Sequence, residues 1–176
     1  PSLAGKTINV DVYCPEGTPK GAIVVAYGTE AMNAPFNALI DHFCEATTNE
    51  GYLTLLPYYF ESTKTVAGVA RVVQALELSG QWSDTVAAAG VWANGKVSGG
   101  KIALVGFSLG ANVVLNAALK SAVAAVVDYF GPVDRFGILP IPAVSRLTKE
   151  RVKSLPTTLI HHGNQDVIVP DAQSTL

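Results

Sequence analysis

The sequence predicts an α/β protein built on a mostly parallel β-sheet with helices on both of its faces. Short apolar segments rich in β-branched residues alternate along the chain with longer segments of helical periodicity. Strands separated by helices of this length form a parallel sheet with right-handed crossovers, which cover both faces with helices. Hydrophobic residues make up 49% of the 176 residues and charged residues 15%, so the chain can bury a large core. We expect one domain over residues 1–176.

The strands are predicted from apolar runs and from alternation of apolar and polar residues. Residues 8–13 alternate, as in a half-exposed strand, whereas GAIVVA at 21–26 is a continuous apolar run that suits a strand buried on both faces. The segment KIALVGF at 101–107 has the same buried character. The six predicted strands are residues 8–13, 21–26, 52–56, 101–107, 122–130 and 157–161.

The helices are predicted from apolar residues that recur on one face. Valines and a leucine spaced by three or four positions share one face of residues 66–78. Pro35 suits the first turn of a helix, where its missing N–H is not needed. The four predicted helices are residues 35–50, 66–78, 82–93 and 109–119. Because ligand sites of such sheets lie at the carboxyl ends of the strands, we expect the reactive residues there.

Composition and charge argue against several classes of partner. The net charge of −2 gives no reason to expect nucleic acid or an acidic membrane surface, and no apolar run is long enough to span a bilayer. Cys14 and Cys44 are too few for a disulfide framework, and no metal-ligand spacing is present. We therefore expect no nucleic acid, membrane, metal or other cofactor, and a cytoplasmic location by default.

Ser108 is the strongest candidate for a reactive residue. It lies within Gly-Phe-Ser-Leu-Gly at 106–110, directly after an apolar strand and directly before a helix. A turn this tight pushes the serine side chain out at the edge of the sheet, and Gly106 and Gly110 let strand and helix approach closely. The alternative is that Ser108 only caps the helix that follows.

Asp166 is the strongest candidate for an acid that works with Ser108. It follows the strand 157–161 and a short turn, which places it at the same edge of the sheet. Such a carboxylate orients a catalytic histidine and stabilises its positive charge. Asp166 could instead be a turn residue bonded to local backbone. Two rivals for the acid are Asp128, near the end of the preceding strand, and Asp171, which follows Pro170 and for which we expect a helix-capping role instead.

Several segments together resemble one known family. IALVGFSLGANVVLNAA resembles the nucleophile elbow of α/β-hydrolases, and the chain is most similar to the dienelactone hydrolase family within that superfamily. Four further segments carry the resemblance: GAIVVAYGTEAMN, GYLTLLPYYF, AAVVDYFGP and PTTLIHHGNQDVIVP. The resemblance implies the three-layer α/β-hydrolase fold, with Ser108 as the nucleophile and Asp166 as the triad acid.

Two departures from the family pattern affect the expected chemistry. The namesake enzymes have a cysteine nucleophile, so the serine at 108 favours general ester hydrolysis over the namesake lactone reaction. They also have a glutamate at the position of Gly28, whereas the nearest glutamate here is Glu30, two residues later. Glu30 could line the substrate pocket or be an exposed loop acid.

A tetrahedral intermediate needs two backbone N–H donors. One should be Leu109, the residue after the nucleophile, and the resemblance points to Thr29 for the other, beside Gly28. The loop that contains Thr29 could also be an ordinary turn at a strand end. The aromatic cluster of Tyr58, Tyr59 and Phe60 could wall an acyl pocket or belong to the core. Gly28 could also line the pocket, and the His-Gly pattern of the family suggests the same for His162.

The catalytic base is the part that the sequence does not supply. The superfamily order is serine, acid, histidine, yet the ten residues after Asp166 contain no histidine. We expect the fold to be truncated here before its last strand and helix, where that histidine belongs. The expected function is a serine hydrolase that cleaves an ester, lactone or thioester of a small molecule through an acyl-enzyme. The alternatives are a homologue that binds without turnover, and a peptidase or acyltransferase on the same scaffold.

Overall fold

The computed structural model describes residues 2–3, 5–74, 76–133 and 147–174, and within them a six-stranded sheet forms the centre of the molecule. The strands are β1 Ser2–Leu3, β2 Lys6–Thr7, β3 Val10–Tyr13, β4 Ala22–Ala26, β5 Leu53–Pro57, β6 Ile102–Phe107, β7 Ala125–Tyr129 and β8 Thr157–His161. The sheet has the order β3-β5-β4-β6-β7-β8, and only β3 is antiparallel to its neighbour. β1 and β2, which the sequence did not predict, form a separate antiparallel pair.

The described helices connect these strands. They are α1 Phe36–Asn49, α2 Val69–Gln74, α3 Ser79–Asn94, α4 Leu109–Ala118 and α5 Lys149–Val152. α4 packs on one face of the sheet, because a Cβ at Gly106 in β6 would lie 2.4 Å from Ala111 of α4. The next residue, Phe107, points to the opposite face, where its ring lies 5.3 Å from that of Phe43 in α1. Helices therefore cover both faces, and the predicted fold class is confirmed.

The predicted helix 66–78 is wrong as a single element. The chain forms α2 and then a separate 3-10 helix, Leu76–Leu78. Gly68 has a φ of 110°, which a helix does not allow, so α2 cannot begin before Val69. The predicted strand 122–130 is also shorter in the structure, where β7 covers Ala125–Tyr129. It ends at Tyr129 because Phe130 takes a φ of 48° and leaves the extended conformation.

The central strands supply much of the core. Every residue of β5 is buried, and β4 and β6 each have one side chain that is only partly buried. This pattern agrees with the apolar runs of the sequence, which suit strands covered on both sides. In the part of the chain that the structure describes, no helix has both the length and the apolar character that crossing a membrane requires.

Candidate active site

Ser108 is the single residue between β6 and α4. Its backbone has φ 53° and ψ −123°, a region that residues with a Cβ rarely occupy. The Ser108 N–H donates to the carbonyl of Tyr129 at 2.9 Å, and the Ser108 carbonyl accepts from the N–H of Ala111 at 2.9 Å. The side chain makes no capping hydrogen bond to α4, so the alternative that Ser108 only caps this helix is not supported.

The two glycines around Ser108 allow the close packing that this turn needs. A Cβ at Gly106 would lie 2.4 Å from both the N and the Cα of Ala111. A Cβ at Gly110 would lie 2.2 Å from the carbonyl oxygen of Ala26 and 2.4 Å from that of Tyr27. Real Cβ atoms do not approach backbone this closely, so α4 can rest on β4 and β6 only because both positions lack a side chain.

The loop after β4 lies beside the Ser108 hydroxyl. A Cβ built on Gly28 would be 3.3 Å from the Cβ of Ser108 and 3.8 Å from its Oγ. The next residue, Thr29, is buried, and its carbonyl accepts from the N–H of Gly68 at 2.8 Å. Among the described residues, neither the Thr29 N–H nor the Leu109 N–H has a hydrogen-bond acceptor. Two uncommitted donors therefore flank the serine.

Asp166 lies in the loop that follows β8. Strand register brings Phe107, Tyr129 and His161 side by side. The end of β6, which precedes Ser108, and the end of β8, which precedes the loop of Asp166, are therefore at the same level of the sheet. The Oδ1 atom of Asp166 accepts the N–H groups of Ile168 at 2.8 Å and Val169 at 2.9 Å.

The two oxygens of the Asp166 carboxylate are in different situations. Oδ1 is bound by local backbone, as in the turn alternative, whereas the nearest basic atom to Oδ2 is the Nε2 of His162 at 3.8 Å. That distance is too long for a hydrogen bond. The side chain is 23% exposed, so Oδ2 can still receive another donor.

The rival acid, Asp128, is placed differently. It is 1% exposed and pairs with Gly106 in the sheet, one residue below the level of Phe107. Its Oδ1 accepts the N–H of Gly131 at 2.7 Å, while Oδ2 has no hydrogen-bond partner in the described ranges. Burial raises the pKa of Asp128, and the Gly131 bond and the nearby His162 oppose that rise.

None of the three histidines is hydrogen-bonded to Ser108 within the residues described. His42 is an exposed residue of α1, and the ring of His161 stacks on that of Tyr129 at 5.1 Å. His162 has a side chain that is only 5% exposed; its Nε2 lies 2.7 Å from the carbonyl oxygen of Val169 and its Nδ1 contacts the Ser174 hydroxyl. Both ring nitrogens of His162 therefore contact residues that follow Asp166 in the chain rather than Ser108.

The remaining predicted pocket residues have partners outside the serine turn. Glu30 is partly buried, and its Oε1 accepts the N–H of Val69, the first residue of α2, at 3.2 Å. The Tyr58 hydroxyl donates to Asp11 at 2.8 Å. Their role in a substrate pocket stays a prediction. The described residues contain no group of three or more histidine, cysteine, aspartate or glutamate side chains that could hold a metal ion.

Tyr59, a member of the aromatic cluster after β5, lies in the core rather than at an open pocket wall. It is fully buried, and its hydroxyl donates to the carbonyl of Tyr27 at 2.6 Å, one residue before Gly28. The Tyr27 and Tyr59 rings stack with centroids 4.4 Å apart, and the Tyr27 hydroxyl accepts the N–H of Phe60 at 3.1 Å. These contacts fix the end of β4. The cluster of aromatic residues after β5 was the only signal for it.

Comparison with known proteins identifies the family to which this chain belongs. The model of the dienelactone hydrolase family matches residues 8–176. The chain belongs to the dienelactone hydrolase family. The resemblance stated from the sequence is therefore confirmed, and membership of this family makes the chain a hydrolase of the dienelactone hydrolase type. No curated protein matches it at a significant level.

Solved structures of similar fold include serine hydrolases. An α/β serine hydrolase without lid from Xanthomonas campestris is 18% identical with a TM-score of 0.66, over 99% of this chain and 73% of that one. A dienelactone hydrolase-like promiscuous phosphotriesterase from metagenomic libraries is 17% identical with a TM-score of 0.71, over 96% and 68%. Est1E from Butyrivibrio proteoclasticus is 16% identical with a TM-score of 0.70, over 98% and 80%. At these identities the likeness shows that this chain shares their fold.

Proposed function

We propose that this protein is a serine carboxylic ester hydrolase that forms an acyl-enzyme on Ser108. The observation that carries the proposal is the backbone of Ser108, held at φ 53° and ψ −123° between β6 and α4. A non-glycine residue in this conformation needs a reason, and functional sites are where such residues cluster. Membership of a hydrolase family supplies a reason: the turn presents the hydroxyl at the edge of the sheet.

In the proposed first step, the Oγ of Ser108 attacks the carbonyl carbon of an ester, lactone or thioester. A bond forms between Oγ and that carbon, the carbonyl electron pair moves onto oxygen, and the serine proton passes to a histidine. The uncommitted N–H groups of Leu109 and Thr29 are suited to hold the oxyanion. When the intermediate collapses, the alcohol or thiol leaves with that proton, and water then hydrolyses the acyl group.

Asp166 is the proposed acid that orients this histidine and stabilises its charge. Its Oδ1 is fixed by two backbone N–H groups, and its Oδ2 has room for a further donor. Since His42, His161 and His162 have other surroundings, we propose that the base is a histidine outside these 176 residues. The small-molecule ester substrate and the absence of a cofactor are also part of the proposal.

The site is proposed to be open to solvent. Only residues 130–156 connect β7 to β8, a segment too short for a large cap domain. The similar serine hydrolase from Xanthomonas campestris is described as having no lid, which supports the same arrangement here.

The test is covalent labelling of the full-length protein with a fluorophosphonate probe, followed by peptide mapping. We expect the label on Ser108, retained in Ser98→Ala, an exposed serine of the turn before β6, and lost in Ser108→Ala. Label that survives Ser108→Ala contradicts the proposal. Turnover of p-nitrophenyl esters but not of peptide p-nitroanilides separates an esterase from a peptidase.

A further inference from the structure

We propose that His162 is a positioning residue, which shapes the loop after β8 so that Asp166 keeps one carboxylate oxygen free for the catalytic base. The inference rests on the proposed role of Asp166 and adds a second residue to it. His162 is the first residue after β8, and the loop that it begins runs over residues 163–170.

The contacts of His162 and Asp166 meet at one residue, Val169. The carbonyl of Val169 lies 2.7 Å from the His162 Nε2, and the N–H of Val169 donates to the Asp166 Oδ1 at 2.9 Å. Both polar groups of Val169 are therefore fixed, one by each side chain. A displacement of Val169 as a whole away from the imidazole therefore also moves an N–H that holds the Asp166 carboxylate.

The hydrogen-bond partners assign the tautomer of His162. The Val169 carbonyl can only accept, so the Nε2 of His162 carries the proton and donates it. Nδ1 of the neutral ring is then an acceptor, and the Ser174 hydroxyl donates to it. In this tautomer the only N–H of the neutral ring donates to the Val169 carbonyl. The ring therefore has no N–H left to donate to the Asp166 Oδ2, which lies 3.8 Å from Nε2.

Burial gives this arrangement its rigidity. The His162 side chain and Val169 are each 5% exposed, so water does not compete for the bond between them. Ser174 belongs to the 3-10 helix Asp171–Ser174, so the same imidazole joins the start of the loop to the helix that follows it. Asp166 is partly exposed and lies between these two attachments.

The test is a double-mutant cycle on kcat for a p-nitrophenyl ester in the full-length protein. We expect His162→Ala to lower kcat by about 10- to 100-fold, the effect of a small misplacement of a catalytic group. In an Asp166→Asn background the same substitution should have no further effect, because its action passes through Asp166. An equal loss in both backgrounds, or no loss in either, overturns the inference.

Two variants and a spectroscopic measurement make the test specific. His162→Gln keeps an N–H donor for the Val169 carbonyl and should restore most of kcat, whereas failure of this rescue counts against the inference. His161→Ala, the neighbouring exposed histidine, should leave kcat unchanged. Nitrogen-15 NMR of the His162 ring should show a protonated Nε2 and an unprotonated Nδ1; a protonated Nδ1 in the neutral ring overturns the assignment without any activity assay.

The same set of variants separates this inference from the proposed function. Unchanged kcat in Asp166→Asn removes Asp166 from the mechanism and the proposed acid with it. A strong loss in Asp166→Asn, combined with full activity in His162→Ala, keeps the proposed function and overturns the role of His162 alone.

Discussion

Asp128 and Asp166 show how two carboxylates near the ends of neighbouring strands acquire different properties. Asp166 has one oxygen bound by two backbone N–H groups, and its side chain is 23% exposed. Asp128 is 1% exposed and has a single N–H donor, from Gly131. The environment of Asp166 suits a carboxylate that must stay charged and accept a hydrogen bond from a histidine. The burial of Asp128 disfavours the charged form instead.

The first prediction compares these two residues in catalysis. Asp166→Asn in the full-length protein should lower kcat by about 10⁴-fold if the acid behaves as in well-studied serine triads. Asp128→Asn should retain kcat, because Asp128 pairs with Gly106, below the level of Ser108, and shares the sheet face on which Gly106 meets α4. Steady-state kinetics with a p-nitrophenyl ester measures both variants, and the reverse pattern would assign the acid to Asp128.

The second prediction concerns the pH dependence of unfolding. Burial raises the pKa of Asp128 in the folded protein above its unfolded value of about 3.9. From that pH upward to the folded pKa, the folded state holds a proton that the unfolded state has lost, so stability falls as pH rises. Above the folded pKa the full cost of the buried charge is present.

Asp128→Asn removes this titration. The variant should therefore gain stability relative to the unaltered protein, so that its free energy of unfolding exceeds that of the unaltered protein by more at pH 7 than at pH 4. Urea unfolding at the two pH values measures the difference. A difference that does not change with pH would show that Asp128 is not held in a state that disfavours its charge.

Among elements, α4 packs against β4 and β6 with little spare room. At Gly110 an added Cβ would meet two carbonyl oxygens of the β4 backbone, and at Gly106 it would meet the backbone of α4. Flexible side chains can move aside, but these atoms belong to the central strands and to the helix. The turn at Ser108 depends on this contact, since α4 begins at the next residue.

The third prediction follows from that contact. Gly110→Ala should destabilise the protein by about 3 kcal/mol or more, the upper range for overpacking a core. Gly80→Ala is the matched control: Gly80 lies in the first turn of α3 with nothing within 4 Å of an added Cβ, and alanine there should stabilise the protein by about 0.4–1 kcal/mol through its smaller freedom in the unfolded chain. Chemical denaturation compares the two, and equal effects would show that α4 can shift away from β4.

The elements that the sequence predicted well are those with local signals. The turn at Ser108 is a strand, one residue and a helix, and two glycines in five residues indicate the close approach. The helix predicted over 66–78 was wrong at its start, because α2 begins only after Gly68, whose positive φ is not indicated by apolar periodicity. The alternation of apolar segments with helical segments predicted the parallel sheet, but not where each strand ends.

The candidate site was less accessible to sequence reasoning where side chains bind across loops. His162 contacts residues seven and twelve positions away, Val169 and Ser174, and nothing in the spacing of those residues indicates a bond. The contact of Glu30 with the start of α2 joins positions 39 apart. Both depend on how loops fold back on themselves, which composition and periodicity do not determine.

At the scale of the whole molecule, the parallel sheet brings distant parts of the sequence to one edge. β4, β6 and β8 all run in the same direction, so Gly28, Ser108 and the loop of Asp166 follow strands that end on the same side. The loop of Gly28 and the loop of Asp166 are separated by more than half of the sequence, and the sheet brings both to the same edge.

The backbone conformation of Ser108 also has a consequence for heat resistance. A residue with a Cβ at φ 53° and ψ −123° carries roughly 1–3 kcal/mol of strain, which the rest of the fold must offset. Glycine relieves that strain. Its greater freedom in the unfolded chain, however, lowers the stability of the folded protein by about 0.5–1 kcal/mol relative to alanine. Ser108→Gly should therefore melt about 2–4 °C above Ser108→Ala in calorimetry, since both lack the hydroxyl and only alanine keeps the Cβ. Equal melting temperatures would mean that the turn holds its serine without strain. A higher melting temperature for Ser108→Gly would mean that the residue proposed to carry the chemistry lowers the heat resistance of the protein.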